Sequence, residues 1–297
     1  MKKIPTGADY HIPVLPQEVI GGLRIQPGKW YVDGTIGGGG HTELILQAGG
    51  KVLGLDQDTE ALSSVKDRLA AYISHGQLKL VQANFRQLSE VVEAEGLAAV
   101  EGVLLDLGVS SFQLNEADRG FRFDAETLDM RMDQTQPVTA AELLARLGVK
   151  DLEQLFVDFG EERYARHFAQ VIADEREVNP ITSAKQLADL IYRISPPPYR
   201  RGPIHPATRV FQALRLAVNA ELDSLDEVLP QAVSVLRKGG RLAIISFHSL
   251  EDRIVKRFMQ SHEQLEPITK RPIVAKDKEV AENPRSRSAK LRVAERI

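Results

Sequence analysis

The sequence predicts an α/β domain with a parallel sheet that is interrupted by a mostly helical insertion. One observation is a series of short apolar segments, the first four of which start roughly 20 to 27 residues apart with helical patterns between them. Such a series is typical of βαβ units. The predicted strands are Trp30–Val32, Val52–Leu55, Leu78–Val81, Val103–Leu105, Leu242–Ile245 and Leu291–Ala294. The second observation is the lack of a strand pattern between Leu105 and Leu242.

Helical patterns fill this interval. Thr139-Ala-Ala-Glu142 has the pattern of a capping box and precedes apolar residues at helical spacing. A long amphipathic helix is predicted over Phe211–Leu225, and the pair Gly239-Gly240 is predicted to end the last helix before the sheet resumes. The resulting division is a discontinuous α/β domain, residues 1–112 and 213–297, and an inserted helical domain, residues 113–212.

The composition limits the possible functions. The 297-residue chain has no cysteine, which excludes disulfides and cysteine-bound metals, and no metal-ligand cluster is visible, so we predict no bound metal. The two lysines near the N-terminus are not followed by a long apolar run. Neither a signal peptide nor a membrane span is therefore predicted, and we expect a cytoplasmic protein without a membrane partner. The sequence does not give the oligomeric state, and a homodimer is compatible with it.

The distribution of charge is uneven. The net charge of −3 argues mildly against a nucleic-acid partner. However, the segment from Arg193 to Arg215 has five arginines and no acidic residue, and the chain from Arg253 onward has twelve basic residues against six acidic ones. Either segment alone is typical of a solvated surface. Together they are compatible with an anionic partner.

A glycine-rich loop follows the first predicted strand, and residues 33–42 have the sequence DGTIGGGGHT. A strand, a glycine-rich turn and a helix form a site for a nucleotide-like ligand in doubly wound sheets. The dinucleotide pattern G-x-G-x-x-G fails, because its sixth position from Gly37 is Thr42, and no lysine completes a phosphate loop. Asp33 would repel a pyrophosphate but would attract the ammonium and sulfonium groups of S-adenosylmethionine. The loop therefore predicts S-adenosylmethionine as the cofactor.

Three further residues follow predicted strands. Asp56 ends the second strand, where ribose hydroxyls are bound in this architecture, although nicotinamide enzymes share that acid. Phe85 follows the third strand and is either a core residue or a wall for the adenine. Asp106 ends the fourth strand. Because ligands bind outside the carboxyl ends of parallel strands, we expect these residues and Asp33 to meet in one crevice.

Longer motifs resemble one known family. They are DGTIGGGGHT, LLDLGVSSFQL, DRGFRF with LDMRMD, GEERYARHFA, HPATRVFQALRLAVNAEL, KGGRLAIISFHSLEDRIVKRF and ENPRSRSAKLRVAER. Between about His11 and Arg296 the chain is similar to the RsmH/MraW family of ribosomal RNA small-subunit methyltransferases. The resemblance implies a class I, Rossmann-like, S-adenosylmethionine-dependent methyltransferase with an inserted helical domain. It also implies methylation of N4 of a cytidine in the decoding region of 16S ribosomal RNA, within the small subunit.

The resemblance also implies site residues. Carried onto this sequence, the cofactor residues are Gly39, Gly40, His41, Asp56, Phe85, Asp106 and Gln113. One local difference is Gly38, where some relatives carry a larger residue, and this leaves the stiffness of the loop open. The inserted domain is expected to recognise the substrate.

The chemistry needs a proton acceptor and a surface for the base. Methyl transfer to the weakly nucleophilic N4 requires an acceptor for an amine proton, and Asp106 stands at the right strand end. Ser246, Phe247 and His248 follow the next strand, so that Phe247 or His248 could stack on the cytosine and Ser246 or His248 could bond its edge. The alternative is that Phe247 is a core residue and His248 a satisfied hydrogen-bonding residue.

Two further points stay open. Arg200, Arg201 and Arg209 are predicted to hold RNA phosphates, although a surface or helix-capping role suits any single arginine. A methyltransferase that acts on a small molecule or a protein would share the whole cofactor site, and a nicotinamide-dependent oxidoreductase would share the sheet and Asp56. The basic segments count weakly against the first alternative, and Asp33 with Thr42 counts against the second.

Overall fold

The computed structural model describes residues 12–110, 113–114 and 116–297. The described chain divides into two compact units. The sheet unit comprises the described residues up to 110 and Asp223–Ile297, and the helical unit comprises the described residues from 113 to Leu222. The predicted α/β fold with a helical insertion is confirmed, but the insertion ends at Leu222 rather than at residue 212. The boundary moves because helix Thr208–Asn219 packs into the core of the helical unit.

One sheet contains the eight strands found in the described residues. They are β1 Trp30–Asp33, β2 Lys51–Asp56, β3 Leu78–Gln82, β4 Val100–Asp106, β5 Leu236–Ser246, β6 Leu265–Pro267, β7 Ile273–Val274 and β8 Lys290–Arg296. The order is β3-β2-β1-β4-β5-β8-β6, with β7 also paired to β8. The first five strands of this order are parallel, and β8 runs antiparallel to β5. The six predicted strands are all present, and the short strands β6 and β7 were not predicted.

Helices cover both faces of the sheet unit, as a parallel sheet requires. Their bounds are Pro16–Leu23, Gly40–Gln47, Thr59–Arg68, Ala70–Ser74, Leu88–Ala94, Ser249–Ser261 and Asp277–Glu282, and helix Glu221–Val235 begins in the helical unit. The central strands are therefore apolar nearly throughout, and in β4 every residue before Asp106 is buried. Two hydrophobic clusters form the core of this unit. The first core cluster includes Val103 and Leu242, and the second core cluster includes Leu104 and Ile245.

The helical unit has a core of its own. Its helices are Ala140–Arg146, Val149–Asp158, Ala165–Val178, Ala184–Ile194, Pro197–Arg200 and Thr208–Asn219. The predicted capping box is present, because Thr139 accepts a hydrogen bond from the Glu142 backbone and the Glu142 carboxylate accepts one from the Thr139 backbone. Phe156 and Phe168 are fully buried in this core. No described helix is long and apolar enough to cross a membrane.

Two helix predictions are wrong. The predicted helix Phe211–Leu225 is broken at Ala220, which has a left-handed φ of 47°, so that one helix ends at Asn219 and the next begins at Glu221. The pair Gly239-Gly240 does not end a helix. Helix Glu221–Val235 stops four residues earlier, and the glycines lie within β5, where the register opposite β4 shifts.

Candidate active site

Carboxyl groups end three neighbouring parallel strands. In the sheet order β1 lies between β2 and β4, so that Asp33 has Asp56 on one side and Asp106 on the other. The chain leaving β1 bonds to both neighbours, because the Gly34 amide donates to the Leu104 carbonyl and the Ile36 amide to the Leu55 carbonyl, each at 2.9 Å. The three carboxyls thus stand at one edge of the sheet, where the strand order reverses.

The glycines of the loop allow a backbone path that other residues disfavour. Gly37 and Gly39 have φ of 45° and 71°, in the left-handed region that glycine adopts without strain. The Gly37 amide donates to Oδ2 of Asp56 at 2.8 Å, which fastens the loop to the end of β2. On its other side, Nη2 of Arg68 donates to the Gly38 carbonyl at 2.6 Å. The loop is therefore held on both sides before helix Gly40–Gln47 begins.

The Asp33 carboxylate already accepts hydrogen bonds from other residues of the chain. Its Oδ2 accepts a hydrogen bond from the Thr42 hydroxyl at 2.7 Å, and Oδ1 accepts one from the Thr35 amide at 3.3 Å. Burial raises the pKa of Asp33 to about 6, although both hydrogen bonds lower it. Asp33 thus holds the two ends of the glycine loop together. Both of its oxygens are already bonded to the loop. Its predicted attraction for a cationic ligand would therefore come from its negative charge and not from a direct hydrogen bond.

His41 bridges two segments from a buried position. Its Nε2 lies 2.8 Å from the Val14 carbonyl, and its Nδ1 lies 3.5 Å from Oδ2 of Asp106. Burial lowers the pKa of His41 to about 4, so the ring is neutral near pH 7. Because a carbonyl only accepts, Nε2 carries the proton and Nδ1 carries the lone pair. His41 is thus fixed by the segment before helix Pro16–Leu23.

Asp106 has one oxygen with no partner. Its amide donates to the Thr35 hydroxyl at 2.6 Å, and among the described residues no group hydrogen-bonds its buried Oδ1. Burial raises the pKa of Asp106 well above its ordinary range, and the negative charges of Asp33 and Glu251 raise it further. Buried polar atoms are nearly always satisfied, so an orphan of this kind points to a ligand.

The electrostatics of the crevice suit a cation. Burial also raises the pKa of Asp56 to about 6, and the charges of Asp58 and Asp33 add to this effect. The acids at this edge therefore repel one another, and a positively charged ligand would relieve that repulsion. The ammonium and sulfonium groups of S-adenosylmethionine fit this requirement, whereas the phosphates of a dinucleotide do not.

Two predicted cofactor residues, Phe85 and Gln113, come from segments outside the glycine loop and the strand ends. Phe85 opens a short 3-10 helix, Phe85–Gln87, and is half-buried against the first core cluster. A Cβ atom placed on Gly34 would lie 3.5 Å from the Phe85 Cβ, so Phe85 borders the start of the glycine loop. Both roles left open for Phe85, core residue and wall, are compatible with this position. Gln113 is buried and belongs to the helical unit.

The segment after β5 has local structural roles. The ring of His248 caps helix Ser249–Ser261 by accepting from the Glu251 amide, and the Glu251 carboxylate accepts from the Phe247 amide at 2.8 Å. Phe247 is partly buried against the second core cluster of the sheet unit. Ser246 is buried, with its hydroxyl 3.5 Å from the Lys290 carbonyl. These contacts correspond to the structural alternative, and direct contact with a base stays a prediction.

The predicted RNA-binding arginines all lie in the helical unit. Arg200 stands over the Tyr192 ring at 5.6 Å from its centroid. Arg201 is exposed, and its Nε lies 3.4 Å from the Pro197 carbonyl. Arg209 donates to the carbonyl of Glu161. None of the three forms an ion pair with a described carboxylate.

Several residues of the site were not predicted. Thr35 and Thr42 donate hydrogen bonds to Asp33, and Arg68 supports the glycine loop. The Val14 carbonyl orients His41. Glu251 adds negative charge near Asp106. Glu251 had a sequence signal, because it stands three residues after the cap in Ser-Phe-His-Ser-Leu-Glu, but histidine is an unusual cap. Arg68 and Val14 had none, since they meet the loop only after folding.

The chain has close relatives over nearly its full length. The model of the MraW methylase family matches residues 8–297. A protein of Deinococcus deserti named ribosomal RNA small subunit methyltransferase H is 49% identical over 288 residues, which cover 97% of this chain and 93% of that protein. A protein of Deinococcus radiodurans with the same name is 50% identical over 287 residues, covering 96% and 89% of the two chains.

Solved structures show more distant likeness. An rRNA methylase from Streptococcus thermophilus has a TM-score of 0.44 at 11% identity, with 92% of this chain and 89% of that chain covered. The family match extends across both the sheet unit and the helical unit. The chain therefore belongs to the MraW methylase family and is an S-adenosylmethionine-dependent methyltransferase of the class I α/β fold with an inserted helical unit.

Proposed function

We propose that the chain transfers a methyl group from S-adenosylmethionine to N4 of a cytidine in the decoding region of 16S ribosomal RNA within the small subunit. The relatives at 49% and 50% identity, both named as ribosomal RNA small subunit methyltransferases, support ribosomal RNA as the substrate. The resemblance of the sequence motifs to the RsmH/MraW family supports N4 of a cytidine as the methyl acceptor. The observation that carries the chemistry is Oδ1 of Asp106, which is buried and has no hydrogen-bond partner among the described residues.

Residues at the strand ends would hold the cofactor. Bound S-adenosylmethionine supplies a methyl group on a positively charged sulfur. We assign its binding to Gly39, Gly40, His41, Asp56, Phe85, Asp106 and Gln113, with Asp33 adding negative charge. The acids supply the attraction. Burial raises their pKa values, and for Asp56 and Asp106 neighbouring negative charges raise them further, so a bound cation would favour the ionised forms.

Asp106 would accept the proton. As the bond from N4 to the methyl carbon forms and the carbon–sulfur bond breaks, N4 loses a proton. The free Oδ1 of Asp106 can accept that proton. Because burial raises its pKa, the carboxylate is a stronger base than an exposed aspartate. His41 cannot take this role near pH 7, since its Nε2 proton bonds to Val14 and its pKa is about 4.

The remaining predicted residues would position the RNA. Phe247 or His248 would stack on the cytosine, and Ser246 or His248 would bond its edge, in addition to the local contacts that these side chains already make. The helical unit would recognise the substrate, with Arg200, Arg201 and Arg209 on phosphates. The cytidine must leave any stack to reach the methyl group.

Methylation of isolated subunits tests the proposal. Small ribosomal subunits from cells that lack the activity would be incubated with tritium-labelled S-adenosylmethionine, and the RNA would be digested to nucleosides. We expect the label in N4-methylcytidine. Label in another nucleoside would contradict the assignment to N4. Cofactor binding without labelled RNA would favour the alternative, a methyltransferase that acts on a small molecule or a protein.

A further inference from the structure

We propose that Tyr192, His205 and Arg200 form a stacking site for an unpaired nucleobase of the RNA substrate. These three residues are called the Tyr192 site below. The inference rests on the proposed function, because it takes RNA as the substrate. It adds to that function a base-recognition site built from residues of the helical unit.

The Tyr192 ring is exposed and firmly supported. It lies near the end of helix Ala184–Ile194, and 46% of its surface is exposed. One face stacks on His205, with ring centroids 5.8 Å apart and an angle of 19° between the ring planes. Tyr192 is thus an exposed aromatic side chain with little freedom to lose when a ligand binds.

The support continues into the core. The His205 ring lies 4.6 Å from Phe123, and Phe123 meets the edge of Phe211 at 4.7 Å. Phe211 is buried in the core of the helical unit. The Nδ1 of His205 accepts from the Ala207 amide at 3.2 Å, which fixes the ring. Burial lowers the pKa of His205, so the stack behind Tyr192 is neutral near pH 7 although the charge of Asp189 opposes this shift.

Positive charge stands beside the exposed Tyr192 ring. The Arg200 guanidinium lies 5.6 Å from the Tyr192 ring centroid. Two other arginines of the same acid-free segment are neutralised, Arg193 by Glu175 at 3.1 Å and Arg215 by Glu221 at 2.8 Å. Arg200 and its neighbour Arg201 form no ion pair with the carboxylates of the described chain, so their charge is available to an anion.

A second pair of the same kind follows in sequence. The Arg163 guanidinium lies 5.1 Å from the Tyr199 ring centroid, and the Tyr199 hydroxyl donates to the Glu162 carboxylate at 2.6 Å. Tyr199 immediately precedes Arg200 in the short helix Pro197–Arg200. The helical unit thus contains two tyrosines, each with an arginine guanidinium close to its ring.

This combination favours single-stranded RNA as the occupant. Unpaired bases stack on aromatic rings and on arginine planes, while arginines without carboxylate partners bind the phosphates. A duplex would offer phosphates but no open base face to Tyr192. A ligand held by phosphates alone would use Arg200 and Arg201 and leave the tyrosine without a role.

Oligonucleotides with and without bases test the site directly. The full chain would be titrated with a labelled single strand of about twelve uridines, sized within the range that single-strand sites occupy, and with the same strand lacking bases. We expect the strand with bases to bind about 5- to 150-fold more tightly, as stacking of one base predicts. Y192A and Y192L should lose this preference, and Y192F should keep it. R201A should weaken both strands and reduce the salt dependence by about one phosphate contact.

Two outcomes would overturn the site. One is equal binding of both strands by the wild-type chain, and the other is an unchanged preference in Y192A and Y192L. Y192L keeps an apolar side chain at this position. Loss of the preference in Y192L as well as in Y192A would therefore result from the missing ring and not from a folding defect. V178A is the control, since Val178 is 77% exposed on another helix.

Methylation of small subunits distinguishes this inference from the proposed function. If the wild-type chain methylates subunits, Y192A should raise KM for subunits with little change in kcat. An unchanged KM would contradict the site and leave the function standing. If the wild-type chain does not methylate subunits, the proposed function fails, and the oligonucleotide titration still decides whether the Tyr192 site exists.

Discussion

The Nδ1 atom of His41 lies 3.5 Å from Oδ2 of Asp106, yet the two side chains do not form an ion pair. The His41 ring is neutral near pH 7, because burial lowers its pKa to about 4. Its single proton is on Nε2, which lies 2.8 Å from the Val14 carbonyl. Asp106 therefore faces a lone pair on one side and has an unpartnered Oδ1 on the other. This arrangement leaves Oδ1 available for a cationic ligand and an amine proton.

Replacing Asp106 by asparagine should slow methyl transfer by about 100- to 10,000-fold, the usual contribution of a general base. D106N keeps the size of the side chain but removes the proton acceptor. Single-turnover rates at saturating cofactor and small subunits would measure the effect. D67N is the matched control, because Asp67 is exposed on helix Thr59–Arg68. A D106N rate within a few-fold of wild type would rule out the proton-acceptor role.

Cofactor affinity should rise with pH through about 6. Burial raises the pKa of Asp33 and Asp56 from an ordinary 3.8 to about 6, so these groups are largely protonated at pH 5. A cationic ligand favours their ionised forms and displaces protons. For one displaced proton, the dissociation constant falls about tenfold per pH unit below 6. Calorimetry between pH 5 and 8, in buffers of different ionisation enthalpy, measures the dissociation constant and the number of protons displaced.

The same shifts set the sign of the stability change without cofactor. Each raised carboxyl pKa contributes stability that is full below 3.8 and is lost as pH rises through 6. His41 acts in the opposite direction, since its pKa falls from 6.5 to about 4 and its contribution is lost as pH falls through that range.

D33N should flatten the pH dependence of cofactor affinity, and D67N should not. An affinity that is constant from pH 5 to 8 would contradict the electrostatic account.

Removing the carboxylate of Glu279 should weaken cofactor binding several-fold without direct contact. Its Oε1 accepts from the Leu15 amide at 2.7 Å, and Leu15 has a left-handed φ of 52°. This bend directs the preceding Val14 carbonyl to His41. E279A should therefore release the support of His41, and E279Q should restore it, because the amide oxygen still accepts.

The readout for Glu279 must report on His41. Imidazole nitrogen chemical shifts would show whether the proton stays on Nε2, alongside the cofactor dissociation constant. E282A is the control, since Glu282 is exposed on the same short helix. If E279A and E279Q bind the cofactor as wild type does, with unchanged His41 shifts, Glu279 does not position His41.

Replacing Asn219 by alanine should destabilise the helical unit by about 2–4 kcal/mol, because buried backbone groups lose their partners. Its Oδ1 accepts from the Met132 amide at 2.8 Å, and its Nδ2 donates to the Met130 carbonyl at 2.8 Å. Met130 has a left-handed φ of 62°, which these bonds help to hold. Urea unfolding followed by circular dichroism would measure the free energy of unfolding.

The matched control for Asn219 is N179A. Asn179 is exposed, and its Nδ2 donates to Glu175 at 3.1 Å. This substitution should change the free energy of unfolding by no more than about 0.5 kcal/mol. Equal effects of N219A and N179A would show that the buried amide contributes nothing particular to the helical unit.

Local patterns accounted for the elements of the fold. The six predicted strands, the helical interval and the capping box at Thr139 are all present, because each depends on neighbouring residues in sequence. The break at Ala220 could not be predicted in this way, since alanine favours helix. There the side chain of Asn219 bonds to Met130 and Met132. Contacts distant in sequence thus override the local preference.

The sequence by itself determined which acids end the strands and that the loop between Asp33 and Thr42 needs glycine. It could do so because strand ends and left-handed turns have local signatures. Only the tertiary structure decided which oxygens remain free. Asp33 is satisfied by Thr42, Asp56 by the loop, and His41 by Val14, whereas Oδ1 of Asp106 has no partner. Hydrogen bonds between segments far apart in sequence form only when the chain packs, and these bonds distinguish Asp106 from its neighbours.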